Sequence, residues 1–283
     1  MISQKYKTIL LILLFLFLST RAWAGWVIER VIYSTPVPSG EASVQKIKST
    51  FYFSKNMLKS LQGNSGIILN FNINQIVAFN PAKRLYWTGR IDDYINEVKR
   101  SVAQSIMSIE GTLKNISPER RKAIEEEMKK QGIKIPGEAN RSDKKVEVKI
   151  ERTPDKQNIA GYDATKYNIY TDGVLYQEIW FSEDLDVYKE IDMKKMKDFQ
   201  SRVTETLSSL YSGKDASVES NLEYQKTFER GYPLKTVQFP GYNQAIIEVT
   251  SAKETEILDN EFEIMKGFSR TTLDEVMKMN VGN

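Results

Sequence analysis

Ile47, Ser49, Phe51 and Phe53 alternate with Lys46, Lys48, Thr50 and Tyr52. Successive side chains of a β-strand point to opposite faces, so this spacing sends one set toward a core and the other toward solvent. Strand-like runs extend over Trp26 to Ser34, Val44 to Ser54, Met57 to Leu61, Ile67 to Phe71, Gln75 to Phe79 and Arg84 to Thr88. The stretches between them, such as Pro36-Val37-Pro38-Ser39-Gly40, Gln62-Gly63-Asn64-Ser65-Gly66 and Asn80-Pro81-Ala82-Lys83, are rich in residues that tolerate turns. The pattern predicts an antiparallel meander.

At Ile91 the period changes. Ile91, Tyr94, Ile95, Val98, Val102, Ile106 and Ile109 recur every three or four residues, which predicts a helix whose start is favoured by Asp92 and Asp93. A second helix is signalled by Ser117 as N-cap, Pro118 at the first helical position and Gly132 beyond Lys129 and Lys130. Only Ala123, Ile124 and Met128 could face a core there, so it reads as an exposed arm leading to a polar linker near Pro136 to Lys145.

Strands resume at Val146 to Arg152, and Asp172-Gly173 between two β-rich runs predicts a type I′ hairpin, in which both central residues take positive φ. A two-residue turn sets Ile169 opposite Tyr176, Tyr167 opposite Glu178 and Thr165 opposite Trp180. An amphipathic helix carries Asp192, Met196, Phe199, Val203, Leu207 and Leu210 near one stripe. Two more strands, Leu234 to Phe239 and Ala245 to Ile257, flank a turn at Pro240-Gly241-Tyr242-Asn243, and Thr272 with Glu275 forms a capping box for a last short helix.

The N-terminus changes the picture of where this protein works. Lys5 and Lys7 precede an apolar run from Ile9 to Leu18, and Ala22-Trp23-Ala24 supplies the small-residue spacing that signal peptidase reads, so Met1 to Ala24 is expected to leave as a signal peptide with Gly25 as the new first residue. The run is half the length of roughly twenty residues that a spanning helix needs. Gly25 stands where a lipoprotein would need cysteine, and the chain has no cysteine at all, which also removes disulfides and thiolate chemistry. Loss of Lys5, Lys7 and Arg21 takes the basic count from 40 to 37, equal to the 37 acidic residues. A mature chain without net charge lacks the basic footprint of a nucleic-acid binder. The expected product is periplasmic or secreted, with no transmembrane segment after cleavage.

Histidine is absent, which removes the commonest general base and imidazole metal ligand. Gly63-Asn64-Ser65-Gly66 is a hairpin loop rather than a phosphate cradle, because no helix pattern follows it. Glu183, Asp184 and Asp186 lack calcium-loop spacing and read as a solvated connection. No catalytic residue, metal or cofactor is therefore expected, and a carboxylate-dependent hydrolase is the alternative left open by the 37 acids. The remaining signal is aromatic. Phe51, Phe53, Leu85, Trp87, Tyr176 and Trp180 are expected to share the helix-covered face of the sheet, either as plain core or as the lining of an apolar ligand site.

Several segments carry a resemblance. They are Tyr52-Phe53-Ser54-Lys55-Asn56-Met57-Leu58-Lys59, Lys83-Arg84-Leu85-Tyr86-Trp87-Thr88-Gly89, Ile159-Ala160-Gly161-Tyr162-Asp163-Ala164-Thr165-Lys166-Tyr167, Glu178-Ile179-Trp180-Phe181-Ser182-Glu183-Asp184-Leu185 and Phe262-Glu263-Ile264-Met265-Lys266-Gly267-Phe268. Together they resemble an uncharacterised family of bacterial exported proteins, of the domain-of-unknown-function 4412 type. That family is distantly similar to the half-barrels of the lipoprotein carriers LolA and LolB. The resemblance implies an α+β fold, a bent antiparallel sheet with helices over its concave face. It also implies one domain over 25–283, with a helical insertion at about 90–132 and a polar linker at about 133–145. The implied partner is a lipid or other apolar ligand, or else an envelope protein held by a non-catalytic interaction module.

Overall fold

The computed structural model describes residues 24–36, 46–130, 133–135, 146–207, 218, 221–239 and 243–278. The expected leader up to Trp23, the turn at 37–40, the C-cap Gly132, the linker at 136–145, Leu210 and the turn residues 240–242 lie outside them.

Twelve strands form one unclosed sheet: β1 (Ala24–Pro36), β2 (Ile47–Ser54), β3 (Met57–Gln62), β4 (Ser65–Asn70), β5 (Gln75–Asn80), β6 (Leu85–Arg90), β7 (Val148–Ile159), β8 (Tyr162–Thr171), β9 (Val174–Ser182), β10 (Tyr232–Gln238), β11 (Asn243–Glu256) and β12 (Ser269–Arg270). Their order is β12-β6-β5-β4-β3-β2-β1-β11-β10-β9-β8-β7. Every pairing is antiparallel except the short parallel one between β12 and β6. The sheet is bent, and with its helices the fold is α+β. The meander from β2 to β6 is closed by turns in which Asn56, Gly63, Asn74 and Arg84 take positive φ. β1 lies between the two halves, paired with β2 on one side and with β11 on the other.

Helix α1 (Ile91–Lys114) starts where β6 ends. The Asp93 carboxylate accepts from the Arg90 backbone N–H at 3.0 Å, which fixes that start. The helix buries Ile91, Tyr94, Ile95, Val98 and Val102. α3 (Met193–Leu207) adds Met196, and α5 (Leu273–Lys278) adds Leu273 and Val276. All of these meet one sheet face through Trp26, Ile28, Phe53, Leu69, Ile76 and Ala78. Ile68, Val77 and Phe79 point to the opposite face, which is covered by Ile257 and Phe262. Burial on both faces explains the unbroken apolar run Ile76-Val77-Ala78-Phe79. α2 (Pro118–Lys130) touches α1 through a small cluster of Leu113, Met128 and Ile135. α4 (Leu222–Thr227), for which the sequence pattern gave no signal, is followed by Phe228, packed on the cluster of Tyr167, Ile169, Ile179 and Phe181.

One register differs from expectation. Asp172 and Gly173 take φ of 50° and 78°, as the hairpin turn requires, and Thr171 pairs with Val174 and Tyr170 with Leu175. Ile169, however, faces Gln177 rather than Tyr176, Tyr167 faces Ile179 rather than Glu178, and Thr165 faces Phe181 rather than Trp180. Tyr176 is the extra residue of a β-bulge, and one inserted residue shifts every later pair.

Candidate functional site

Alternation along β1 puts Trp26, Ile28, Arg30 and Ile32 on one face. Three of these are apolar, and Trp26 and Ile28 belong to the main core. Arg30 is the exception. Its guanidinium lies 4.1 Å from the centre of the Phe51 ring, and its Nε donates to Ser49 Oγ at 2.9 Å. Phe51 stacks on Phe53 at 6.2 Å, Phe53 meets Tyr232 edge-on at 6.3 Å, and Tyr232 lies 5.4 Å from Tyr188 on the 3-10 turn Val187–Glu190. Of these rings, Phe51 is the one stacked against the cation.

Burial lowers the Arg30 pKa. Burial also pushes the Tyr232 phenol up to about 12 and raises that of Tyr188 further in the same direction. Both tyrosines are therefore neutral hydroxyls at physiological pH.

Phe51, Phe53, Trp87 and Trp180 all contact the main core, so the structure brings four of the six sequence-derived aromatic-face residues to one cluster. Trp87 lies 6.1 Å from Tyr94 of α1, which in turn lies 6.2 Å from Phe199 of α3. Leu85 is half-buried two residues before Trp87 on the same strand. Tyr176 does not share a face with Trp180, because the bulge turns it to the separate cluster around Ile179 and Phe181. Trp180 has polar company. Lys166 Nζ stands 5.3 Å and Lys235 Nζ 5.5 Å from its ring, and Lys166 pairs with Glu178 at 2.6 Å.

None of the six lines the cleft of about 410 Å³ that opens beside the 3-10 turn and α3. Its walls include Leu185, Tyr188, Met193 and Phe228, with Glu183, Asp186, Lys197, Glu229, Arg230 and Gly231 completing the lining. Two rim acids are answered by the protein's own lysines, Glu229 by Lys197 at 2.6 Å and Asp186 by Lys189. The acidic run Glu183 to Asp186, which reads as a solvated connection, holds Leu185 at 1% exposure, and Val187 just after it at 0%. The missed signal was the apolar pair inside an acidic stretch. Arg30 was equally legible as a cation on an inward-facing row. Among the described residues no group of three or more aspartates and glutamates is arranged to hold a metal ion. The signal-cleavage residue Ala22 lies outside the described residues, whereas Ala24 and Gly25 open β1 opposite Glu256 and Thr255.

Three solved structures align over most of the chain. "Structure of PNGF-II in P21 space group" shares 12% identity over 87% of this chain with a TM-score of 0.34, and the chain spans only 31% of that protein. A DUF1329 family protein from Desulfovibrio piger shares 11% identity over 88% of this chain and 93% of its own, at a TM-score of 0.26. A putative outer membrane lipoprotein-sorting protein domain from Vibrio parahaemolyticus shares 10% over 86% and 91%, at 0.25. Likenesses this low carry no argument about function. Among curated proteins no relative matches. The motifs quoted from Ile159 to Phe268 fall inside a stronger match: residues 90–268 fit the model of a domain of unknown function, DUF4412, and the chain belongs to that family.

Proposed function

We propose that this is an exported, non-catalytic binding protein that holds a lipid or other apolar ligand at the seam between its half-barrel sheet and the helical cover. The observation that carries the reading is the cleft of about 410 Å³ with Leu185, Tyr188, Met193 and Phe228 on its walls and charged residues at its rim. The cleft joins apolar residues to five charged ones, which suits an amphiphilic rather than a purely apolar ligand, and its volume falls within the range of roughly 300–1,000 Å³ for small-molecule sites. Export rests on the signal-peptide pattern of Met1 to Ala24, with release at Gly25 and delivery to the periplasm or beyond. On this reading 25–283 works as one half-barrel unit, with the helices near 90–132 inserted between β6 and β7.

A second reading has its own support. The face expected to be concave is filled by Ile91, Ile95, Val98, Leu273 and Val276 from the helices, which suits an interaction module that binds another envelope protein and no ligand. Native mass spectrometry of the protein purified from its own envelope separates the two. A stoichiometric mass increment that fragments as a lipid is the expected result. A bare mature mass, together with failure of a fluorescent fatty acid to bind, would favour the interaction module.

A further inference from the structure

We propose that the outer edge of β7 is a docking surface for a second copy of this chain, the two β7 strands pairing antiparallel about a two-fold axis at Val148. β7 ends the strand order, and among the described residues no strand lies beyond it. The Glu147 backbone points inward: its carbonyl accepts from the Asp172 N–H at 2.9 Å, and its N–H donates to the Asp172 carboxylate at 3.1 Å. Backbone groups of successive strand residues turn to opposite sides. Lys149 and Glu151, which pair with Tyr170 and Asn168, therefore also turn inward, whereas Val146, Val148 and Ile150 present N–H and C=O at the outer edge. Such a row is a template for another strand, and folds ordinarily blunt it. The later half of β7 is blunted, since its register shifts between Arg152 and Lys156 and Pro154 has no N–H to offer. The earlier half has neither device.

The side chains make that half complementary to itself, as an interface between two identical copies requires. Val146, Val148 and Ile150 alternate with Glu147 and Lys149. With Val148 on the axis, Val146 of one copy stands opposite Ile150 of the other, and Glu147 stands opposite Lys149. Val148 and Ile150 already pack on the cluster of Tyr167, Ile169, Ile179 and Phe181, so the pairing continues that apolar row from one copy into the next. The opposite face carries the charges. Lys149 is exposed there and pairs with Glu151 of its own strand at 2.6 Å, so it meets the second copy already partnered by an acid. Other registers fit less well. An axis at Lys149 would set lysine against lysine and Glu147 against Glu151, and one at Ile150 would set Val148 against Arg152. Strand addition of this kind draws its affinity from the main chain and its register from the alternate side chains. The pairing does not depend on what the cleft binds.

The test is sedimentation equilibrium on the chain from Gly25 to Asn283. The wild type should be a dimer at about 0.1 mM, and Lys149→Glu, which sets glutamate against Glu147 of the other copy, should weaken association about tenfold or more. Adding Glu147→Lys to that variant should restore the dimer, because the swap re-forms the opposed charges only in the register centred on Val148. Val148→Pro removes an outward N–H that β8 does not use, so it should abolish the dimer and leave the monomer folded. Circular dichroism melts identify any variant that fails to fold, and the charge variants then carry the comparison. The chain has no cysteine of its own, so Val148→Cys gives a clean readout of the axis: mild oxidation should link it to its own mate as a disulfide dimer. A monomeric wild type at that concentration would overturn the proposal. If its Val148 and Ile150 amides were also protected from hydrogen exchange, another segment of the same chain would be what covers the edge. A dimer indifferent to both Lys149→Glu and Val148→Pro would overturn it as well, by assigning the association to another surface.

Discussion

Tyr232 shows how position alone changes what a side chain can do. It lies in the core at 6% exposure, beside Phe53 and Tyr188, and burial lifts its pKa from the ordinary 10.0 to about 12. Below pH 10 both folded and unfolded chains keep that proton, so the stability linked to it is fully present. Between pH 10 and 12 the unfolded chain loses the proton first, and stability falls by roughly 2–3 kcal/mol across that window. Urea denaturation at pH 9 and pH 11.5 should show this loss in the wild type, and a smaller loss in Tyr232→Phe, which has no proton to release there. An equal loss in both proteins would mean that other tyrosines carry the alkaline sensitivity. At this scale the sequence was only partly legible. Phe51, Phe53 and Trp87 could be placed by alternation because their strands are regular. The half-buried Arg30 stood on a regular strand too, but charge is usually read as exposure, and nothing local announces that its guanidinium stacks on the Phe51 ring.

Secondary elements were more legible than sites, since their signals are local. The six strands β1 to β6 and the helix from Ile91 follow from apolar periods and turn residues. The β8–β9 hairpin marks the limit of such reasoning. Its turn obeys the Asp172-Gly173 dipeptide, whereas the bulge at Tyr176 has no comparable sequence signature and is fixed by packing on the Ile179 and Phe181 cluster. The turn itself gives a direct test. Gly173 has φ of 78° with open space where a side chain would go, so any penalty for substitution comes from the backbone and not from a clash. Gly173→Val places a β-branched residue at positive φ and should cost about 1–3 kcal/mol. The corresponding shift of the urea midpoint is the readout, and Gly173→Asn, which tolerates positive φ, should recover much of it. A Val variant as stable as the wild type would show that the turn relaxes to another type without penalty.

At the scale of the whole molecule, one strand decides whether there is a single sheet. Among the described strands, the meander β2–β6 and the group β7–β11 are hydrogen-bonded into one sheet through β1, whose residues from Trp26 to Ile32 pair on both sides, for example Ile28 with Phe51 and with Ala252. No local pattern could predict this, because the β1–β11 partners are separated by more than 200 residues, as in the pair Ala24 and Glu256. Such long-range closure carries a large entropic cost before its contacts form, and it makes the last strand a late event in folding. The consequence concerns export. On the proposed export, cleavage before Gly25 would leave Trp26 and Ile28 in the core, whereas a cut a few residues later would remove them. Gly25 also suits that place sterically, since a Cβ there would stand 2.5 Å from the Phe53 carbonyl oxygen. N-terminal sequencing of the protein recovered from the cell envelope or medium should therefore return Gly25 as the first residue. A chain that lacks residues 25–36 should lose the single cooperative unfolding transition, with its two sheet halves melting separately or not folding. Retention by the truncated chain of one sharp transition near the wild-type midpoint would mean that β2 and β11 can pair directly, and that β1 is not the strand on which the sheet depends.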